Sequence, residues 1–143
     1  MAEAIFGLTG VIIGALISGL TSLLLQKRNE RLTARVAARL VRDDLFIASC
    51  WVEDAIVAEK WLVDIQRRIN TRSWEDQRTH LAAVMNYSDY AKAGTAVQAA
   101  NRLNHWLNTR SNVVTLNETD KDYLRKLLED LGSGLFVLKE TAR

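Results

Sequence analysis

Residues 4–25 read AIFGLTGVIIGALISGLTSLLL, and no ionisable side chain occurs from Ala4 to Gln26. At about 1.5 Å rise per residue this run makes a helix about 33 Å long, which matches a hydrocarbon core of about 30 Å. Its polar members are Thr9, Ser18, Thr21 and Ser22. Their hydroxyls can bond back to carbonyls of the preceding turn and so be tolerated in lipid. A cleaved signal peptide has a basic start and a shorter apolar region, whereas this run follows Met-Ala-Glu. A buried helix of a water-soluble domain is normally shorter or shows a polar face. The run therefore predicts one transmembrane helix, with residues 1–25 as the anchor.

The flanks predict its orientation. Glu3 precedes the run, and Lys27, Arg28 and Arg31 follow it closely. Lysine and arginine stay on the cytoplasmic side, so the N-terminus is expected outside and the remaining chain in the cytoplasm of a bacterial inner membrane. The small net charge of +2 hides this asymmetry. Lys27, Arg28, Arg31, Arg35, Arg39 and Arg42 face only Glu30 within residues 27–42, a local charge of +5. The basic residues Lys27, Arg28, Arg31 and Arg35 are expected at the membrane surface, against anionic lipid, rather than on nucleic acid.

One face of the run is small. Gly10, Gly14, Ser18 and Ser22 recur every fourth residue and form a shallow groove, a spacing that lets helix backbones approach closely in lipid. It predicts a homo-oligomer, or docking on another membrane helix.

Beyond the anchor the chain has no proline anywhere and no glycine between Gly19 and Gly94. Their absence favours long helices over short strands. The expected fold is all-α, with the N-terminal transmembrane helix continuing into a cytoplasmic bundle of about four helices. The first helix is expected to run to about Asn70, with residues 26–45 as a polar juxtamembrane stalk and 46–143 as the bundle. Val36, Leu40, Ile47, Trp51, Ala55, Ala58, Leu62, Ile65 and Ile69 form one apolar row and Val41, Leu45, Ala48, Val52, Ile56 and Val63 a second. Ser73 and Ser88 are expected to cap the next two helices, and Asn117 or Thr119 the last. Gly132 and Gly134 are expected to kink that last helix or end it near Leu131.

The sequence offers little catalytic chemistry. Asp76 and His80 stand one turn apart, without a paired-cysteine or HExxH pattern to make a metal site. Cys50 reads as a structural thiol, and the four tryptophans as core anchors. Asp44 interrupts the apolar row between Leu40 and Ile47, as a possible buried polar group wanting a partner or as a solvated carboxylate. No cofactor is expected.

The stretch GVIIGALISGLTSLLLQKRNERLTARVAARLVRDDL resembles the start of uncharacterised bacterial single-pass membrane proteins. In these a small-residue anchor is followed by an arginine-rich helix. The resemblance covers about the first 45 residues, implies a bacterial or phage-encoded membrane protein, and transfers no functional residues. The expected function is a non-enzymatic, membrane-anchored oligomeric scaffold whose bundle binds an unidentified cytoplasmic protein. The alternative is a membrane-perturbing effector, forming a pore or leak, of a toxin or antiphage defence system.

Overall fold

The computed structural model describes residues 2–62, 69–109 and 113–143, with side chains described for 14–61, 69–109 and 115–143. Four helices carry the chain: α1 (Ala2–Ala58), α2 (Arg72–Ala82), α3 (Tyr87–Asn108) and α4 (Glu118–Thr141). Two three-residue strands, β1 (Lys60–Leu62) and β2 (Val113–Thr115), complete the described structure. α4 packs against both α1 and α3, while α2 lies mainly on α1.

α1 is one unbroken helix of 57 residues, about 85 Å long. It ends earlier than its sequence suggests. Helix to about Asn70 was the expectation, yet Glu59 turns into the left-handed region at φ 54° and the chain leaves as β1. Tertiary partners hold that turn. The Glu59 carbonyl accepts the Leu116 N–H at 3.0 Å, and its carboxylate meets the Lys121 ammonium at 2.6 Å. β1 then pairs antiparallel with β2, Trp61 opposite Val114. Trp61 also sets its ring edge-on to Trp106, with centroids 6.0 Å apart, closing this end of the core. The expected row members Val63 and Ile65 lie outside the described residues.

The bundle begins lower on α1 than its polarity implies. Ala34, Ala37, Ala38, Val41, Leu45, Ala48, Val52 and Ala55 are all buried. Packing therefore reaches well into the 26–45 segment expected to stand free. Both rows were expected to face the core, and they divide. Val41, Leu45, Ala48 and Val52 of the second row are buried, as are Ala55 and Ile69 of the first, whereas Val36, Leu40 and Ile47 of the first row are exposed.

α2 starts at Arg72 with Thr71 as its N-cap residue, not Ser73, and Thr71 donates its hydroxyl to Asn101 instead of capping. Asn86 caps α3, two residues before the expected Ser88, by accepting the Asp89 N–H at 2.9 Å. Asn117 caps α4 as expected, in a reciprocal capping box with Asp120. From there α4 passes Gly132 and Gly134 without a break and runs to Thr141, contrary to the expected kink or early end. Leu124, Leu131 and Leu138 are fully buried, with Leu127 and Val137 beside them. Removing such a leucine costs roughly 2–5 kcal/mol, so this face fixes α4 between its neighbours.

Gly134 explains the continuity. It is buried against α3, where a Cβ would collide with the Ala96 Cβ and stand 3.2 Å from the Lys92 carbonyl oxygen. With Ala93, Ala96 and Ala100 also buried, α3 and α4 meet at close range through small residues. The glycine thus serves the contact between two helices.

Candidate functional site

The side chains on α1 fall into two regions. From Ala34 onward one side is buried. From Gly14 to Thr33 every side chain is exposed, so the helix runs on beyond the packed core. Leu16, Ile17, Leu20, Leu23, Leu24 and Leu25 are each 54–66% exposed, and together they cover about half of the helix circumference. A protein surface in water rarely shows so dense an apolar patch without a use for it.

Among the described residues no helix is long and apolar enough to cross a membrane. The side chains of the Ala4–Ile13 half of the expected anchor lie outside the described ones. What is described, Gly14–Leu25, is about 18 Å of apolar helix.

Of the expected packing face, Gly10 lies outside the described side chains. Gly14, Ser18 and Ser22 are exposed, and a Cβ at Gly14 would meet nothing within 4 Å. Thr21 donates its hydroxyl to the Ile17 carbonyl at 2.8 Å, satisfying that polar group within the helix.

The small face continues downward. At about 100° per residue, Gly14, Ser18, Ser22, Leu25, Leu32, Val36, Leu40 and Ile47 all fall within about 40° of one line along α1. Val41, Leu45 and Val52 lie on the opposite side, in the core. Leu32, Val36, Leu40 and Ile47 are 47–57% exposed on the side of α1 opposite its packed face. A seam, small above and mostly aliphatic below with exposed Asn29 and Asp43 interspersed, therefore runs along the back of α1. The sequence rows contained its lower half but assigned it to the core.

Lys27, Arg28, Arg31 and Arg35 are exposed, forming a basic collar between the apolar run and the bundle. Arg31 and Arg35 have no ion-pair partner among the described residues. They line an open cleft of about 410 Å³ together with the α2–α3 turn (Met85, Asn86) and the end of α4 (Glu140, Arg143). The α4 residues were absent from the sequence expectation. The usable signal was helix length: α4 antiparallel to α1 returns the C-terminal segment to the height of residues 31–39. Arg39 marks that return by donating to the Ala142 carbonyl at 3.5 Å.

Asp44 is half-buried and accepts the Asn70 side-chain N–H at 3.3 Å, tying the start of α2 to α1. No arginine faces it among the described contacts. Asp76 and His80 are both exposed, and Cys50 is half-buried. Among the described residues no three histidine, cysteine or carboxylate side chains cluster as metal ligands.

Two shifted titrations belong to the β1–α4 junction. Lys121 is held above the ordinary lysine value by hydrogen bonds to Glu59 and Glu118. Glu59 is held below the ordinary carboxylate value by the hydrogen bond from Lys121 and by its charge. Both shifts describe a structural clasp, since Lys121 is buried and its ammonium is held by Glu59 and Glu118. No protein-family model matches the chain, and comparison with curated proteins and with solved structures likewise yields no match.

Proposed function

We propose that the chain is a membrane-anchored, self-associating interaction module. The apolar run 4–25 crosses a bacterial inner membrane, the basic collar rests on its cytoplasmic face, and two or more copies pair along the back of α1. The observation that carries this reading is the seam from Gly14 to Ile47, unpartnered and opposite the core. Aliphatic side chains placed in line with a small-residue membrane face have no role in folding one copy. Between copies they extend a membrane contact into the cytoplasm.

The spacing supports the pairing. Leu25, Val36 and Ile47 recur every eleven residues, the period of a right-handed supercoil. Small residues four apart favour right-handed crossings in lipid. Both halves of the seam therefore ask for the same hand. The basic collar supports the orientation, because lysine and arginine beside an apolar run are retained on the cytoplasmic side. The bundle faces left over from this contact are the surface for a cytoplasmic partner.

Cysteine cross-linking of the full chain in membrane vesicles tests the proposal, in a Cys50→Ser background. Val36→Cys on the seam is expected to cross-link rapidly to itself. Lys27→Cys, exposed on the opposite side of α1, is expected to cross-link slowly. Gly14→Leu is expected to reduce the Val36→Cys yield. Equal yields at both positions, or none at either, would refute pairing along this face.

A further inference from the structure

The end of the bundle nearest the 4–25 run is assembled from three segments far apart in sequence: α1 at Arg31 and Arg35, the α2–α3 turn, and the last turn of α4. Together they line the open cleft described above. Its carboxylates are already engaged. Asp89 accepts from Asn86 at 2.8 Å and faces Lys92 at 4.0 Å, while Glu140 pairs with Arg143 at 3.0 Å. Among the described residues the two guanidinium groups of Arg31 and Arg35, one helical turn apart, are left without a carboxylate partner on its α1 wall.

Position decides what such a pair meets. Arg31 stands six residues after Leu25, about 9 Å along the helix axis. Helical side chains lean toward the N-terminus, which here is toward the apolar run. An arginine side chain leaning that way carries the Arg31 guanidinium into a headgroup layer roughly 5–8 Å thick and brings that of Arg35, about 6 Å lower, to its outer edge. The α2–α3 turn at the same end carries Val84 and Tyr87 on its outside, 41% and 88% exposed. A tyrosine with a free ring and hydroxyl beside an aliphatic residue suits the membrane–water boundary.

The geometry points to a lipid-headgroup site: Arg31 and Arg35 bind the phosphate of one anionic lipid in this cleft, and Val84 and Tyr87 rest at the interface beside it. Guanidinium groups bind phosphate oxygens through paired, charge-assisted hydrogen bonds, so two of them on one wall select a phosphate ester over a diffuse charge. Binding would fix the bundle's tilt against the bilayer, which a single helix leaves free. The site rests on the membrane-anchored reading above, and its test separates the two.

The full chain is reconstituted into nanodiscs of phosphatidylcholine with increasing phosphatidylglycerol, and hydrogen exchange of amides 84–89 is followed. Protection is expected to rise with phosphatidylglycerol. The amount needed for half-protection is expected to increase about fivefold for each arginine removed in Arg31→Gln and Arg31→Gln/Arg35→Gln. Lys27→Gln/Arg28→Gln removes equal charge outside the cleft and is expected to shift it less. Equal shifts from both pairs would mean that only general surface charge acts, and would overturn the site. Protection by glycerol phosphate in pure phosphatidylcholine discs, without an effect of phosphatidylglycerol, would assign the phosphate to a soluble compound and overturn the lipid assignment. Alkaline carbonate extraction of the chain from vesicles would instead remove the anchor, and the headgroup site with it. Retention without protection would overturn the site alone.

Discussion

Two glycines two residues apart in α4 should respond to the same substitution with opposite signs. A Cβ at Gly132 meets nothing within 4 Å, and the residue is exposed. Gly132→Ala therefore gains helix propensity and loses unfolded-chain entropy, for a stabilisation of about 0.5–1 kcal/mol. Gly134→Ala gains the same propensity but drives its methyl into the Ala96 Cβ and to 3.2 Å from the Lys92 carbonyl oxygen. Carbon atoms rest at about 3.5–4.0 Å, so α3 and α4 must separate or shift. Overpacking of this kind costs about 1–3 kcal/mol. The propensity gain is common to both, so the two variants should differ by the overpacking cost, about 1–3 kcal/mol or roughly 4–12 °C in melting temperature for a bundle of this size. Circular dichroism melts of the full chain in detergent micelles measure it. Because one obstacle is a side chain and the other is backbone, Ala96→Gly should recover part of the loss in the double variant. If Gly134→Ala melts at or above Gly132→Ala, the close approach of α3 and α4 is wrong.

Two further outcomes follow from named contacts. Glu59 is depressed and Lys121 is raised by their mutual hydrogen bond. The glutamate's contribution is present above its ordinary value of 4.5 and is lost as pH falls through the lowered folded value. The lysine's is present below 10.5 and is lost as pH rises through the raised one. Melting temperature against pH should show both shoulders in the native chain and flatten at both ends in Lys121→Met; an unchanged profile would count against the clasp. Asn104 accepts the Ile69 N–H at 3.0 Å and donates to the Ile69 carbonyl at 2.9 Å. Asn104→Leu strands both backbone groups, so urea unfolding should show a loss of about 1–3 kcal/mol, against almost none for exposed Asn108→Leu.

Much of the architecture was legible because periodicity and caps are local. Val97, Ala100, Leu103 and Leu107 face inward on α3 as their spacing requires, and Asn117 announces α4 in its own sequence. What was not legible depends on partners distant in the chain. No glycine marks the turn at Glu59; its left-handed backbone is held by Leu116 and Lys121, some sixty residues away. Two three-residue strands bury too little to leave a pattern. Gly132 and Gly134 look alike in sequence, and only the position of Ala96 tells them apart.

The division of α1 into a packed side and a seam follows the same logic and bears on function. Large aliphatic residues were assigned to the core because burying them gains the most free energy per residue. In a bundle whose helices approach closely, the facing positions must instead be small. Ala34, Ala37, Ala38, Ala48 and Ala55 fill them, leaving Val36, Leu40 and Ile47 on the outside. A sequence free to choose would make such outer positions polar, as it does at Arg28 and Arg35 nearby. Retaining aliphatic groups there exposes apolar surface to water in every isolated copy, and that cost is offset only when the face is covered. The seam lies in line with Gly14, Ser18 and Ser22. In the membrane-anchored pair we propose, a second copy covers both halves at once, with its α1 parallel to the first.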